Sequence, residues 1–209
     1  MFISLHVLIL FILASLTLAL IPGPDMLFIM SRTLSDHIRG GLWSVLGIST
    51  GLLFHTLLVA SGVSLIIMHM PVLFHSVKLA GAFYLIYLGM KLLFSKSNKP
   101  LNSQEVFTQQ HSRKLFFDGL ITNLLNPKII VFFMAFLPQF VVPDTSPAFL
   151  QLLTLGLVFI ATGTTINSVV VIFSHRLKSW ILKNKKFKQI QERIAGLILL
   201  AIGIKMVFK

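Results

Sequence analysis

Apolar residues run through this chain in long blocks, and the polar residues gather in short clusters between them. A helix rises about 1.5 Å per residue, so crossing about 30 Å of hydrocarbon takes roughly 20 mostly apolar residues. Blocks of that length run from Leu5 to Met30, Leu42 to Met68, Val77 to Phe94, Phe116 to Val142, Ala148 to Phe173 and Ile190 to Phe208. The pattern predicts an all-α integral membrane protein with six transmembrane helices. The last block holds Glu192, Arg193 and Lys205, each near enough to an end for its charge to reach water. The first block has the apolar core of a signal peptide but no basic leading region and no clear small-x-small cleavage site, so it is read as a span.

Two blocks interrupt themselves. The first contains ALIPGPDMLFIM, and the fourth contains ITNLLNPKIIVFFM. In each, a proline is followed at once by a charged residue and then by apolar ones, so that Pro24 and Asp25 correspond to Pro127 and Lys128. Proline lacks an N–H and clashes with the preceding turn, so it breaks a helix, yet it fits well as the first residue of a new one. Pro22 ends one half-helix, Gly23 permits the turn and Pro24 starts the next, with Asp25 in its first turn. Asn126 is a good N-cap for a half-helix that starts at Pro127, with Lys128 just after it.

The only long polar connection, SKSNKPLNSQEVFTQQHSRK, divides the chain into residues 1–94, a linker at 95–115, and residues 116–209. With three spans in each part, the second enters the membrane from the opposite face. The expected architecture is a 3+3 inverted repeat whose first and fourth helices are broken by proline, and paired breaks of this kind point to a transporter's binding site. Each break exposes backbone N–H groups and the positive end of a helix dipole, which attract a carboxylate. Asp25 is the complementary partner for an ammonium group. Together they suit a zwitterion such as an amino acid, with Lys128 as a further partner for its carboxylate. A charge near a helix centre costs roughly 2.5–3.5 kcal/mol on insertion scales, so neither Asp25 nor Lys128 should face lipid. A plainer reading, in which the two charges only pair with each other across the bundle, stays open.

Composition agrees with a bilayer: 56% of the 209 residues are hydrophobic, 11% are charged, and the mean hydropathy is +0.89. There is no cysteine, which removes disulfides and thiolate metal sites. The net charge of +12 would point to nucleic acid in a soluble chain, but here the basic residues sit between the apolar blocks. Arg32 and Arg39 fall in the first loop, Lys96, Lys99, Arg113 and Lys114 in the third, and Arg176, Lys178, Lys183, Lys185, Lys186 and Lys188 in the fifth. The second and fourth loops have none. The positive-inside rule then places loops one, three and five in the cytoplasm and both termini outside. The fifth loop is an ordinary basic loop or a short interfacial helix with Leu177, Trp180 and Ile181 toward lipid.

The segments PGPD, GGLWSVLGISTG, KLAGAFYLIYLGMKLL and NLLNPKIIVFFMAFLPQF, in this order, resemble the lysine exporter superfamily, and in particular its homoserine/threonine exporter branch. The resemblance covers nearly the whole chain. It implies a bacterial inner-membrane protein that exports amino acids or close derivatives, uses the proton gradient and forms a homodimer, with Pro22, Gly23, Pro24, Asp25, Asn126, Pro127 and Lys128 as the prominent positions. The loop after the third span has no acidic or histidine-rich tract, which argues against a metal-exporting relative.

Other polar residues carry weaker cases. Asn123 flanks the second break and either bonds substrate or joins helices. Thr162, Thr164, Thr165 and Asn167 make the fifth span polar, as a cavity wall or as side chains bonded back to their own helix. Gly47 and Gly51 form a GxxxG whose packing is internal or between subunits. His55 is a proton relay or a neutral core residue. His69 and His75 make a poor metal site, and Asp118 suits a helix N-terminus. No metal and no cofactor is expected. The expected function is secondary amino-acid transport with Asp25 as substrate-binding and proton-coupling residue and Asn167 among its neighbours. An intramembrane enzyme acting on a lipid headgroup lacks a carboxylate pair, a cysteine or a GxSxG in the spans; a non-transporting scaffold is the third class.

Overall fold

A computed structural model describes residues 3–21, 23–63, 71–94, 111–142 and 145–176, together with residues 190, 193, 194, 196, 197, 200, 201, 203, 204, 207 and 208. Pro22, His69, most of the polar linker, the basic stretch 177–189 and the side chain of His75 lie outside the described residues. The described residues form six α-helices and no strand, and those between 190 and 207 are helical.

Helix α1, Leu5–Leu20, starts at Ser4, whose hydroxyl accepts from the Val7 amide at 3.4 Å. Its 16 residues rise about 24 Å, too short to cross hydrocarbon alone. The chain then passes through Ile21 and Gly23 and starts α2, Pro24–Leu58, with Pro24 at the first helical position. Helix α2 is itself interrupted at Asp36 (φ −108°, ψ 17°) and His37 (φ 60°, ψ −167°), and it ends in a π-helical turn, Val59–Val63. In a straight helix Gly41 would stand about 12 Å beyond Thr33. Here a Cβ on Gly41 would strike the Thr33 hydroxyl, so the arms 24–35 and 38–58 fold back on one another. Ile29 on the first arm packs with Val45 and Ile48 on the second.

Helix α3, Pro71–Leu93, begins earlier than Val77, because Pro71 takes the first helical position and the apolar residues after it continue the helix. Helix α4, Ser112–Leu124, likewise starts before Phe116, which puts Asp118 in its second turn, so Asp118 does not serve its N-terminus as expected. A break at Leu125 and Asn126 leads into α5, Pro127–Val131, which runs on as a π turn, Phe132–Phe136, and a 3₁₀ turn, Leu137–Phe140. The two sides of this break are bent by 49°. Helix α6 is Ala148–Arg176. By length and apolarity, Pro24–Gly62 and Ala148–Arg176 are candidates to cross a membrane, the former through its longer arm beyond the fold at Asp36 and His37, and the bent pair makes a third candidate.

Close packing explains the small residues. A Cβ on Gly47 would strike the Phe116 carbonyl oxygen, one on Gly119 would lie 2.7 Å from the Ser44 carbonyl oxygen, and one on Gly51 would lie 2.6 Å from Asn123 Oδ1. The GxxxG of α2 therefore packs within the chain, against α4. Gly89 and Gly196 pair in the same way, each facing the other's carbonyl oxygen. Phe11, Phe132, Phe133, Phe140 and Phe159 form an aromatic core, with ring centroids 4.5 Å apart for Phe132 and Phe159 and 5.0 Å for Phe11 and Phe140. Leu13, Phe54, Leu58, Phe83, Ile121, Leu125 and Phe173 are exposed, a surface suited to acyl chains rather than water.

Candidate functional site

The first break is built from two extended residues. Ile21 (φ −68°, ψ 119°) closes α1, and its amide donates to the Leu18 carbonyl at 3.2 Å. Gly23 has φ −151° and ψ −176°, extended backbone that any residue adopts. Glycine is therefore not required here for the turn, contrary to expectation. Its value is space: a Cβ on Gly23 would lie 3.3 Å from Lys128 Nζ.

The second break caps itself. Asn126 (φ −73°, ψ 108°) is the N-cap of α5, and its Oδ1 accepts from the Lys128 amide at 3.1 Å. That bond satisfies one of the amides that a helix start leaves without a partner. The Asn123 carbonyl accepts from the Asn126 amide at 3.0 Å, and His55 Nε2 lies 3.4 Å from the same oxygen. His55 is buried, with its ring 5.6 Å from that of Phe133.

The two breaks meet through side chains. Asn123 Nδ2 donates to Asp25 Oδ2 at 2.7 Å. Lys128 Nζ donates to the Ile21 carbonyl at 3.0 Å and to the Leu18 carbonyl at 3.3 Å, both at the end of α1, the second shared with the Ile21 amide. Asp25 is 7% exposed and Lys128 6%, so both charges are inside the protein. Among the described residues they make no direct ion pair, and the reading in which they only bind each other is corrected: the ammonium has turned to carbonyls and the carboxylate to an amide. Three buried polar atoms here, Asp25 Oδ1, Asn123 Oδ1 and Asn126 Nδ2, make no hydrogen bond of good geometry, although the Asn126 side chain stands beside the Asp25 carboxylate. Buried polar groups are nearly always paired, so such a cluster marks a place where bonds are held in reserve.

Asp25, Lys128 and Asn167 line one cavity, walled also by Met26, Ile48, Leu52, Phe159 and Gly163. Its volume is about 30 Å³. That is space for a water molecule or two and far below the hundreds of Å³ of a ligand pocket, so the cavity is too small for an amino acid as it stands. Asn123 and Asn126 join this group from behind Asp25 and at the start of α5, while Pro24 and Pro127 act as backbone starts. The other polar residues of α6 divide: Thr162 and Thr165 bond back to carbonyls one turn earlier, and Thr164 pairs with Ser49 of α2 at 2.7 Å. Phe159, Gly163 and Asn167 share a spacing of four, the helical period that would have marked this wall from sequence. Gln151 was not singled out, yet its amide holds the loop after the 3₁₀ turn, accepting from the Val142 amide and donating to the Val142 and Ser146 carbonyls, each at 2.9 Å. A second cavity of about 540 Å³ lies between the fold of α2 and the start of α4, walled by Asp36, Arg39, His111 and Arg113 among others.

The profile of the family described as LysE type translocator matches residues 16–209. The chain is 31% identical to an uncharacterized membrane protein, YrhP, of Bacillus subtilis (strain 168), over 96% of this chain and 98% of that one. It is also 31% identical to the homoserine/homoserine lactone efflux protein of Salmonella typhimurium, over 91% of each chain. An uncharacterized membrane protein of Vibrio cholerae is 30% identical over 80% of this chain and 78% of its own. No solved structure matches significantly. A family match across nearly the whole length, on apolar helices broken where the polar residues meet, makes this chain a membrane protein of the LysE type translocator family.

Proposed function

We propose that this protein is a secondary transporter that exports an amino acid or a close derivative across the bacterial inner membrane, driven by the proton gradient, rather than an intramembrane enzyme. The observation that carries the reading is the buried Asp25, which keeps one carboxylate oxygen unbonded on a cavity shared with Lys128 and Asn167. A carboxylate in that position binds a substrate amine or a proton, and exchange between the two couples export to proton entry. The efflux relative in Salmonella typhimurium supports homoserine as the first substrate to try.

In this reading residues 1–94 and 116–209 are three-span repeats of opposite orientation, joined by the linker 95–115, with both termini outside. The small cavity opens by rocking of one repeat against the other around the two breaks. The 540 Å³ cavity, near the basic residues Arg39 and Arg113, is then the cytoplasmic vestibule. The working unit is a homodimer. Pro24 starts the helix after the first break and Gly23 leaves room there for Lys128, Asn126 and Pro127 set the second break, and Asn123 holds Asp25 in place.

The test uses inverted membrane vesicles with an imposed proton gradient and labelled homoserine. The expected result is accumulation by the wild type and a fall to background for Asp25→Ala that is present in the membrane in equal amount. Full accumulation by that variant refutes the role of Asp25, and no gradient-dependent movement of homoserine or other amino acids refutes transport.

A further inference from the structure

Lys128 is a primary ammonium group seated on the C-terminal end of a broken helix. Its bonds, 3.0 Å to the Ile21 carbonyl just past the end of α1 and 3.3 Å to the Leu18 carbonyl, which also accepts from the Ile21 amide, lie where α1 runs out of helical donors. That end of a helix carries partial negative charge, and unwound carbonyls at such breaks suit a cation. Across the same cavity stands the buried Asp25 carboxylate with Oδ1 unbonded. Gly23, lacking a side chain, keeps the approach to Nζ clear. Two carbonyls and a carboxylate around one small space are acceptors only; nothing in this set would hold an anion.

We infer that the Leu18 and Ile21 carbonyls, with the Asp25 carboxylate beside them on the same cavity, form a subsite for a primary ammonium group, whose carbonyls Lys128 holds in this structure and whose place the substrate's amino group takes when Lys128 withdraws. This rests on the transport reading above and gives Lys128 a different part in it. Lys128 competes with the substrate's amine instead of holding its carboxylate. Export then includes a swap of one ammonium for another on the same oxygens, so the carbonyls are never left bare in the membrane interior.

Lys128→Ala removes the atoms that n-propylammonium would replace. In purified Lys128→Ala protein, propylammonium chloride at about 100 times its Kd is expected to raise Tm by roughly 5–10 °C. Tetramethylammonium, which has no N–H to donate, gives no rise, and neither does propylammonium on the wild type, where Lys128 holds the carbonyls. Absence of the rise in Lys128→Ala, or an equal rise with tetramethylammonium or in the wild type, overturns the inference. Should Lys128→Ala fail to fold, Lys128→Gln keeps the stem and a weaker, neutral donor. Its affinity for homoserine is expected to rise several-fold over the wild type, and an unchanged or lower affinity overturns the inference, because it means that Lys128 holds the carboxylate or stands apart. Propylammonium binding in a protein that exports nothing defeats the transport reading alone, whereas export without such binding defeats the subsite alone.

Discussion

The two helix breaks look alike in sequence and are finished in different ways. The break before Pro127 is closed from within, since Asn126 caps α5 through the Lys128 amide and the Asn123 carbonyl accepts from the Asn126 amide. The break before Pro24 is closed from outside. Gly23 offers no capping side chain, and the Ile21 and Leu18 carbonyls at the end of α1 take an ammonium that belongs to the other break, 107 and 110 residues away, with only Leu18 also bonded locally, by the Ile21 amide. One break is thus a local structure and the other a junction between the two parts of the chain. A junction of this kind is where motion of one part against the other is felt, and the small cavity lies beside it.

The difference is open to direct attack. Lys128→Met removes the only side-chain donor observed on the Leu18 and Ile21 carbonyls among the described residues. Bonds to charged groups contribute about 1.5–3 kcal/mol each, so a loss near 3 kcal/mol is expected in denaturant unfolding in detergent, with α1 the first element to gain amide exchange. Asn123→Ala takes the amide from Asp25 Oδ2 and should cost about 2 kcal/mol in the same assay, together with reduced homoserine export. Asn126→Ala removes the cap and an amide beside Asp25: about 1 kcal/mol, the usual worth of a cap, with faster exchange chiefly at the start of α5. Gly23→Ala has the smallest effect, below about 1 kcal/mol, because the backbone there suits alanine and the flexible end of Lys128 can shift by a few tenths of an ångström. If Asn126→Ala proves as damaging as Lys128→Met, the distinction between a local break and a junction fails.

Much of the local structure was legible because it depends on near neighbours. Pro24 and Pro127 start helices through their fixed φ and missing N–H, and Asn126 caps because its side chain reaches an amide two residues on. Apolar runs understate two helices: α3 begins at Pro71, where proline starts a helix that Val72, Leu73 and Phe74 continue, and α4 begins at Ser112, among polar residues that a helix can include beyond hydrocarbon. Gly23 serves space and not the turn, for a sequence shows that a residue is small but not what lies beside it.

Read along the chain alone, the residues are apolar enough for a membrane, break their helices before Pro24 and Pro127, and set Asp25 and Lys128 next to the breaks. Periodicity, proline geometry and the penalty for charge in hydrocarbon all act over a few residues, so they can be read in order along the chain. Only the tertiary structure decided what those charges touch. Lys128 turns to the carbonyls of α1 and Asp25 to the amide of Asn123 because the folded backbone brings acceptors and donors from distant segments within 3 Å or so, and in the low-dielectric interior each buried charge takes the partner that packing sets before it.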